Sequence, residues 1–164
     1  KADFSREKVV INDPVMNVVK IFGQQLKLQN IALRFLPGEK IPPVRASNNR
    51  LEQVFFNLLS NGRDAIVQKR ETFHQGVKAR INIRSFSKKG WAAVAVSDTG
   101  VGISRYVRDK IFEPFFTTKE VGKGMGLGLA IVYEIVVEHG GEIRVHSGTG
   151  IGSTFVVLLP HMSA

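Results

Sequence analysis

Residues 122–128 read Gly-Lys-Gly-Met-Gly-Leu-Gly, with glycine at every second position, and then an apolar run extends to Val137. No single strand or helix accommodates glycines so closely set. Glycine weakens regular structure and is useful where backbone bends tightly or approaches a ligand. The run from Leu129 carries no Pro or Gly and stops at Gly140-Gly141, a helix-ending signal. The spacing therefore predicts a glycine loop feeding the N-terminus of a buried helix. Free backbone N–H groups and the positive end of the helix dipole make such a point an anion site, with phosphate as the natural guest. A glycine-rich turn that merely packs closely has the same appearance. Two common phosphate templates fail. A P-loop needs Ser or Thr after Gly-Lys, whereas Lys123 is followed by Gly124. The dinucleotide fingerprint needs a preceding strand and a different glycine spacing. A nucleotide, if bound, is held by another kind of fold.

Composition narrows the class. A chain of 164 residues, 43% hydrophobic and 23% charged, suits one globular domain with a proper core. No apolar stretch approaches bilayer length, and no signal-peptide pattern opens the chain. Cysteine is absent, which excludes disulfides, zinc–thiolate sites and thiol chemistry. The chain opens on Lys1, and we expect it to be a cytoplasmic piece of a longer protein, with membrane anchoring of that parent left open. The net charge of +9 comes from scattered residues, with short clusters such as Arg84, Lys88 and Lys89 or Arg105, Arg108 and Lys110. Without aromatic–basic interleaving, a solvated surface is the better reading than a nucleic-acid patch.

Taken in order, residues 8–12 suggest a short strand. Asp13-Pro14 reads as the cap and first-turn proline of a helix whose core face is Val15, Val18, Val19, Phe22 and Leu26. Residues 31–36 alternate like a strand, and residues 44–46 suggest another. Ser47-Asn48 opens a second helix with Leu51, Val54, Phe55, Leu58, Leu59 and Ile66 on one broad face. Asn57, Asn61 and Asp64 line up on a narrow stripe beside it. Asparagine is a mediocre helix former, so two on one line ask for a reason beyond a half-exposed polar edge. An Asn carbonyl is a hard-oxygen ligand suited to Mg²⁺, which takes few protein groups and otherwise phosphate and water.

Residues 68–78 read as a polar loop. Residues 79–87 and 91–97 read as a hairpin that delivers Asp98-Thr99-Gly100-Val101-Gly102-Ile103. An acid directly after a buried strand, followed by spaced glycines, marks a ligand-facing turn or a ligand-free Asx turn. Ser104 suggests the cap of a short helix over Val107 and Ile111. The run Ile111-Phe112-Glu113-Pro114-Phe115-Phe116 is too aromatic for a free loop and reads as a packed corner. Residues 142–147 and 153–159 form a second hairpin, ended by Pro160. The histidines at 74, 139, 146 and 161 lack metal-ligand spacing and read as structural or surface groups.

Four blocks now stand in order: Asn57-Leu-Leu-Ser-Asn61, Asp98-Thr-Gly-Val-Gly102, Phe112-Glu-Pro-Phe-Phe116 and Gly122-Lys-Gly-Met-Gly-Leu-Gly128. Together they resemble the N, G1, F and G2 boxes of the catalytic ATP-binding domain of bacterial sensor histidine kinases, in the superfamily of gyrase, Hsp90 and MutL. The closing Gly152-Ser-Thr-Phe155 also resembles that family's last strand pair. The resemblance covers residues 8–160, the expected core of a single domain over residues 1–164. It implies an α+β fold of the Bergerat type: a two-layer α/β sandwich with a mixed, mainly antiparallel sheet and helices on one face. It implies that Asn61 coordinates Mg²⁺ with help from Asn57, and that Asp98 accepts from the adenine amine with Thr154 in support. By the same resemblance Gly100 and Gly102, with Ile103 beside them, bring backbone to the base. Gly124, Gly126, Leu127 and Gly128 offer N–H groups to the phosphates, and Lys119 touches the γ-phosphate. Residues 117–125 would form a lid.

The reaction is read at position 57. ATPases of the superfamily carry Glu there to activate water, and an asparagine cannot serve as that base. The implied activity is that of a protein-histidine kinase in a two-component system. It binds Mg²⁺-ATP and passes the γ-phosphoryl group to a histidine on a separate dimerisation domain, with a response regulator downstream. No nucleic-acid or membrane contact is expected. Gly62 and Met125 depart from the usual Ala and Thr, and Asp64 falls where some relatives carry a basic residue. A stand-alone ATPase of the same superfamily and a degenerate regulatory module remain the rival readings.

Overall fold

The computed structural model describes residues 5–73, 76, 78–119 and 126–163. Strand β1 (Glu7–Val9) precedes helix α1 (Asn12–Leu28), strands β2 (Ala32–Leu36) and β3 (Val44–Ala46), and helix α2 (Asn48–Phe73). Then follow β4 (Arg80–Lys88), β5 (Trp91–Asp98), a 3-10 turn at Arg108–Lys110, helix α3 (Gly128–Glu138), β6 (Glu142–Gly148) and β7 (Gly152–Pro160). Five strands form one sheet in the order β2-β4-β5-β7-β6. Only β2 and β4 run parallel; the other pairs are antiparallel. β1 and β3 form a small antiparallel ribbon of their own.

Alternation decides which sheet face meets the helices, because successive strand residues point to opposite sides. Ile81 and Ile83 of β4, Ala92, Val94 and Val96 of β5, and Phe155, Val157 and Leu159 of β7 are buried on one side. Against them α1 buries Val15, Val18, Phe22 and Leu26, α2 buries Leu51 to Ile66 along one stripe, and α3 buries Val132, Ile135 and Val136. Burying each such side chain stabilises by about 1.5–3 kcal/mol. One apolar stripe per helix and one apolar sheet face give the expected two-layer sandwich. Among the described residues no helix is long and apolar enough to cross a membrane.

The β4–β5 hairpin closes at the Lys88–Trp91 pair. Lys89 and Gly90, at φ 46° and 86°, make the two-residue turn whose twist matches antiparallel strands. Three local features differ from expectation. Helix α2 does not stop near residue 68 but runs to Phe73. Gln68, Lys69, Arg70 and Glu71 are polar but are good helix formers. The Lys69 ammonium donates to the Thr99 carbonyl at 3.2 Å, and Arg70 donates to the Gln29 and Asn30 carbonyls. Asp13 does not cap α1, which starts one residue earlier. Asn12 instead donates to the Gly38 carbonyl at 3.0 Å and accepts from the Ser85 hydroxyl, pinning the helix start to β4. The helix expected after Ser104 is only the single 3-10 turn, although Ile111 beyond it is buried.

His139 is structural. The Ser47 N–H donates to its Nε2 at 3.1 Å at the start of α2, and its Nδ1 lies 2.7 Å from the Ile135 carbonyl. Because Nε2 accepts, the ring is neutral with its proton on Nδ1. Burial holds its pKa below the ordinary 6.5. The unfolded chain therefore takes up the proton first on acidification. Stability from the neutral ring is present above the unfolded value and is lost as the pH falls through the folded one. His139→Ala should cost about 1–3 kcal/mol at pH 7.5 by leaving the Ser47 N–H unpartnered. Urea titrations at pH 7.5 and 5.5 should show a smaller acid-induced loss in the variant than in the parent.

Candidate functional site

The site is built around the end of β5. Asp98 is the last residue of that strand and points to the helix side, with only 8% of its surface exposed. Its Oδ1 accepts the Gly100 N–H at 2.8 Å, the Ser153 backbone also bonds to it, and Lys69 adds a favourable charge. Burial outweighs these and pushes its pKa from 3.8 to about 6. A buried carboxylate with so little compensation is an acceptor waiting for a donor.

Helix α2 passes directly over this acid. A Cβ on Gly62 would stand 3.3 Å from the Asp98 Cβ and from Ile81 Cδ1, so glycine here lets helix and acid approach. Its neighbour Asn61 is half-buried, and no described residue engages its amide. One turn earlier, the Asn57 amide donates to the Gly128 carbonyl at 3.3 Å, tying α2 to the first residue of α3. The five steps from residue 57 to residue 62 span roughly 7–8 Å of helix. One helix thus links the acid at one end to an N-terminal helix turn at the other. Asn57 and Asn61 supply neutral amide oxygens. Among the described residues no group of three or more His, Cys, Asp or Glu side chains stands ready for a metal. Such a donor set fits a cation that arrives with phosphate and water ligands of its own.

The glycines have reasons that the sequence conceals. Gly100 packs against Ala65 of α2, where a Cβ would stand 2.5 Å from the Ala65 Cβ. Gly102, at φ 75°, leaves room for the Gly148 carbonyl. Neither is kept small by an approach to a base alone. Gly126, at φ 70°, packs on the backbone of Phe115 and Phe116, and its carbonyl accepts the Phe115 N–H at 3.1 Å. Gly128 has open space around it, Leu127 precedes it as the helix cap position without a side-chain cap bond, and Gly124 lies outside the described residues. Ile103 donates its N–H to the Ser147 hydroxyl at 2.7 Å. The aromatic corner is only partly packed. Phe112 stacks on Tyr133 and meets Phe155 edge-on, while Phe115 is 70% exposed.

Thr154 requires a correction. Asp98 pairs with Ser153, not Thr154, across β5 and β7. Alternation therefore sends Thr154 to the open face of the sheet, where its hydroxyl lies 2.8 Å from that of Ser97. There it lines a trough of about 350 Å³ with Arg34, Asn82 and Arg84. The buried Ser153, hydrogen-bonded to Ser147 at 2.8 Å, occupies the position beside the acid. Counting back along β7 from the hairpin pair would have found it. Lys69 was concealed by the loop reading of residues 68–78. Lys119 is brought to α2, where its ammonium pairs with Asp64 at 2.5 Å.

Comparison with known proteins agrees with this fold. Sensor kinase CckA of Brucella abortus is 37% identical over 163 residues, 96% of this chain, and sensor histidine kinase ZraS of Escherichia coli K12 is 37% identical over 154 residues, 94% of it. The chain spans 17% and 31% of the length of those two relatives. The solved catalytic domain of histidine kinase ThkA superposes with a TM-score of 0.80 at 30% identity, covering 96% of this chain and 99% of that one. The fold and these likenesses thus define an α/β sandwich of the histidine-kinase catalytic-domain class. Residues 46–163 match the model of the histidine kinase-, DNA gyrase B- and HSP90-like ATPase family. The chain belongs to that family.

Replacing Asp98 with Asn removes a buried charge. Because the folded pKa is raised, the folded state binds more protons than the unfolded between 3.8 and about 6, and ionised Asp98 opposes folding above that window. Without ligand, Asp98→Asn should raise stability at pH 7.5 by up to about 3 kcal/mol. The gain should shrink below pH 6 and vanish near pH 4 in thermal melts.

Proposed function

We propose that this domain binds Mg²⁺-ATP and presents its γ-phosphoryl group to a histidine on a separate helical domain, as the phosphotransfer step of a two-component system. The observation that carries the reading is the position of buried Asp98 against α2, with the Asn57–Asn61 turn leading from it to the start of α3. An ionised carboxylate matches the adenine amine. Guanine presents a carbonyl at that position, and two acceptors repel. Asn61, assisted by Asn57, would hold Mg²⁺, which neutralises the phosphates and orients them when bound. The N–H groups opening α3 would meet phosphate oxygens. Lys119 would leave Asp64 for the γ-phosphate. Ser153, rather than Thr154, would support the base end.

Transfer breaks the bond between the γ-phosphorus and the bridging oxygen of ADP and forms one to an imidazole nitrogen of the acceptor domain. The bridging oxygen keeps the bonding electrons on ADP, and the proton on the other imidazole nitrogen passes to water. This step rests mainly on positioning and charge neutralisation, which the residues here suit. Asn57 cannot draw a proton from water, so hydrolysis should be slow. A solved structure of ThkA holds a response regulator in complex with it, and a downstream response regulator is the partner we propose. We also propose a cytoplasmic setting.

Calorimetric titration tests the reading. Mg²⁺-ATP should bind more tightly than Mg²⁺-GTP. Asn61→Ala and Asp98→Ala should each weaken ATP by about tenfold or more, the loss expected for a hydrogen bond to a charged group. Affinity should fall between pH 7 and 5 as Asp98 takes up its proton. Equal affinity for the two nucleotides, or unchanged ATP binding in both variants, would refute the site. Rapid ATP hydrolysis by the parent would favour the stand-alone ATPase instead.

A further inference from the structure

Asp64 lies one turn beyond Asn61 on α2, and its carboxylate holds two cations. Oδ2 pairs with the Lys119 ammonium at 2.5 Å, and Oδ1 accepts from Arg63 Nε and Nη2 at 3.2 and 3.1 Å. Arg63 has other support. It donates to the Ser60 hydroxyl at 3.2 Å and lies 5.3 Å from the centre of the Phe22 ring. Lys119 does not: among the described residues Asp64 is the one partner of its ammonium. The pair therefore has an asymmetric environment. Losing Lys119 leaves Asp64 with a countercharge, whereas losing Asp64 leaves Lys119 with none.

We propose that Asp64 is a positioning residue that competes with the terminal phosphate of ATP for Lys119, and so sets the preference of the pocket between tri- and diphosphate. The inference rests on the nucleotide reading above. When ATP enters, the ammonium exchanges a carboxylate for the more highly charged terminal phosphate, and Arg63 keeps Asp64 neutralised. When only the diphosphate remains, no terminal phosphate competes and Lys119 returns to Asp64. ATP entry breaks an ion pair that ADP entry leaves intact. The side chains of Lys119 and Asp64 are 32% and 30% exposed, so the pair is partly screened and its effect is modest. A pair of this kind shifts the ATP-to-ADP affinity ratio by roughly two- to fivefold.

A double-mutant cycle read by calorimetry with Mg²⁺-ATP and Mg²⁺-ADP tests this. Asp64→Asn should tighten ATP by about two- to fivefold and leave ADP unchanged. Lys119→Ala should weaken ATP and spare ADP, and adding Asp64→Asn to it should change nothing further. Asp64→Glu, which restores the pairing, should return the ATP-to-ADP ratio towards that of the parent. The proposal is overturned if Asp64→Asn weakens ATP or leaves it unchanged, if it shifts ATP and ADP alike, or if its effect survives in the Lys119→Ala background. Those results leave the nucleotide reading standing. Failure of the parent to bind either nucleotide removes that reading and this inference together. Thermal melts confirm that each variant is folded; if Asp64→Asn is not, Asp64→Ser takes its place in the parent and Lys119→Ala backgrounds, and the same outcomes decide.

Discussion

The carboxylate of Asp98 sits where the sandwich closes, and several elements bend around it. β5 ends on it, Gly62 lets α2 pass close above it, and Gly152 carries the start of β7 across its backbone carbonyl. Two backbone N–H groups reach it without balancing the loss of water. A fold that sought only stability would place an amide or an apolar group there, since a buried charge without a partner is expensive. The tension is local, and the apolar layer around it is continuous, so the core tolerates the acid. A hydrogen-bond donor entering from outside would relieve what the protein itself leaves unbalanced.

Helix α2 turns that local feature into a site of defined length. Its apolar stripe fixes it on the sheet through Leu51, Val54, Phe55, Leu58, Leu59 and Ile66. With that face anchored, the angular positions of Asn57, Asn61, Gly62 and Asp64 follow from helical periodicity. The Asn57 bond to Gly128 fixes α3 to the same ruler. At its other end the helix start is held by His139, which lies just beyond the end of α3. Among the described residues α2 and α3 are thus joined near the start of α3 through Asn57, and at the far end both through His139 and through the Arg50–Glu138 ion pair at 2.9 Å. A rearrangement of either would be felt by both.

Much of this was legible in the sequence because its carriers are local. The four blocks, the Lys89-Gly90 turn and the apolar stripe of α2 each lie within a few residues, and their periods are plain. What failed depended on contacts distant in sequence. The extension of α2 to Phe73 is stabilised by Arg70 against the end of α1 and by Lys69 against Thr99, neither of which a polar run announces. Thr154 and Ser153 differ by one residue, and one residue along a strand exchanges the two faces of a sheet. The glycines were easy to find and hard to explain. Gly100, Gly102 and Gly126 are each small because another piece of backbone or helix occupies the space. A glycine motif therefore records packing as well as ligand approach.

The same distinction bears on Asn57, where chemistry and architecture meet. A glutamate there could take a proton from water, and its ionised carboxylate would face the Gly128 carbonyl, acceptor against acceptor. Asparagine removes the base and supplies an N–H that bonds to that carbonyl. On the proposed reading, the side chain that leaves this domain without a water-activating group is thus also one of those that join α2 to α3. On that reading its bond to Gly128 helps hold the place where phosphate would lie, and a site so arranged keeps the nucleotide in position until the acceptor histidine is brought from another domain.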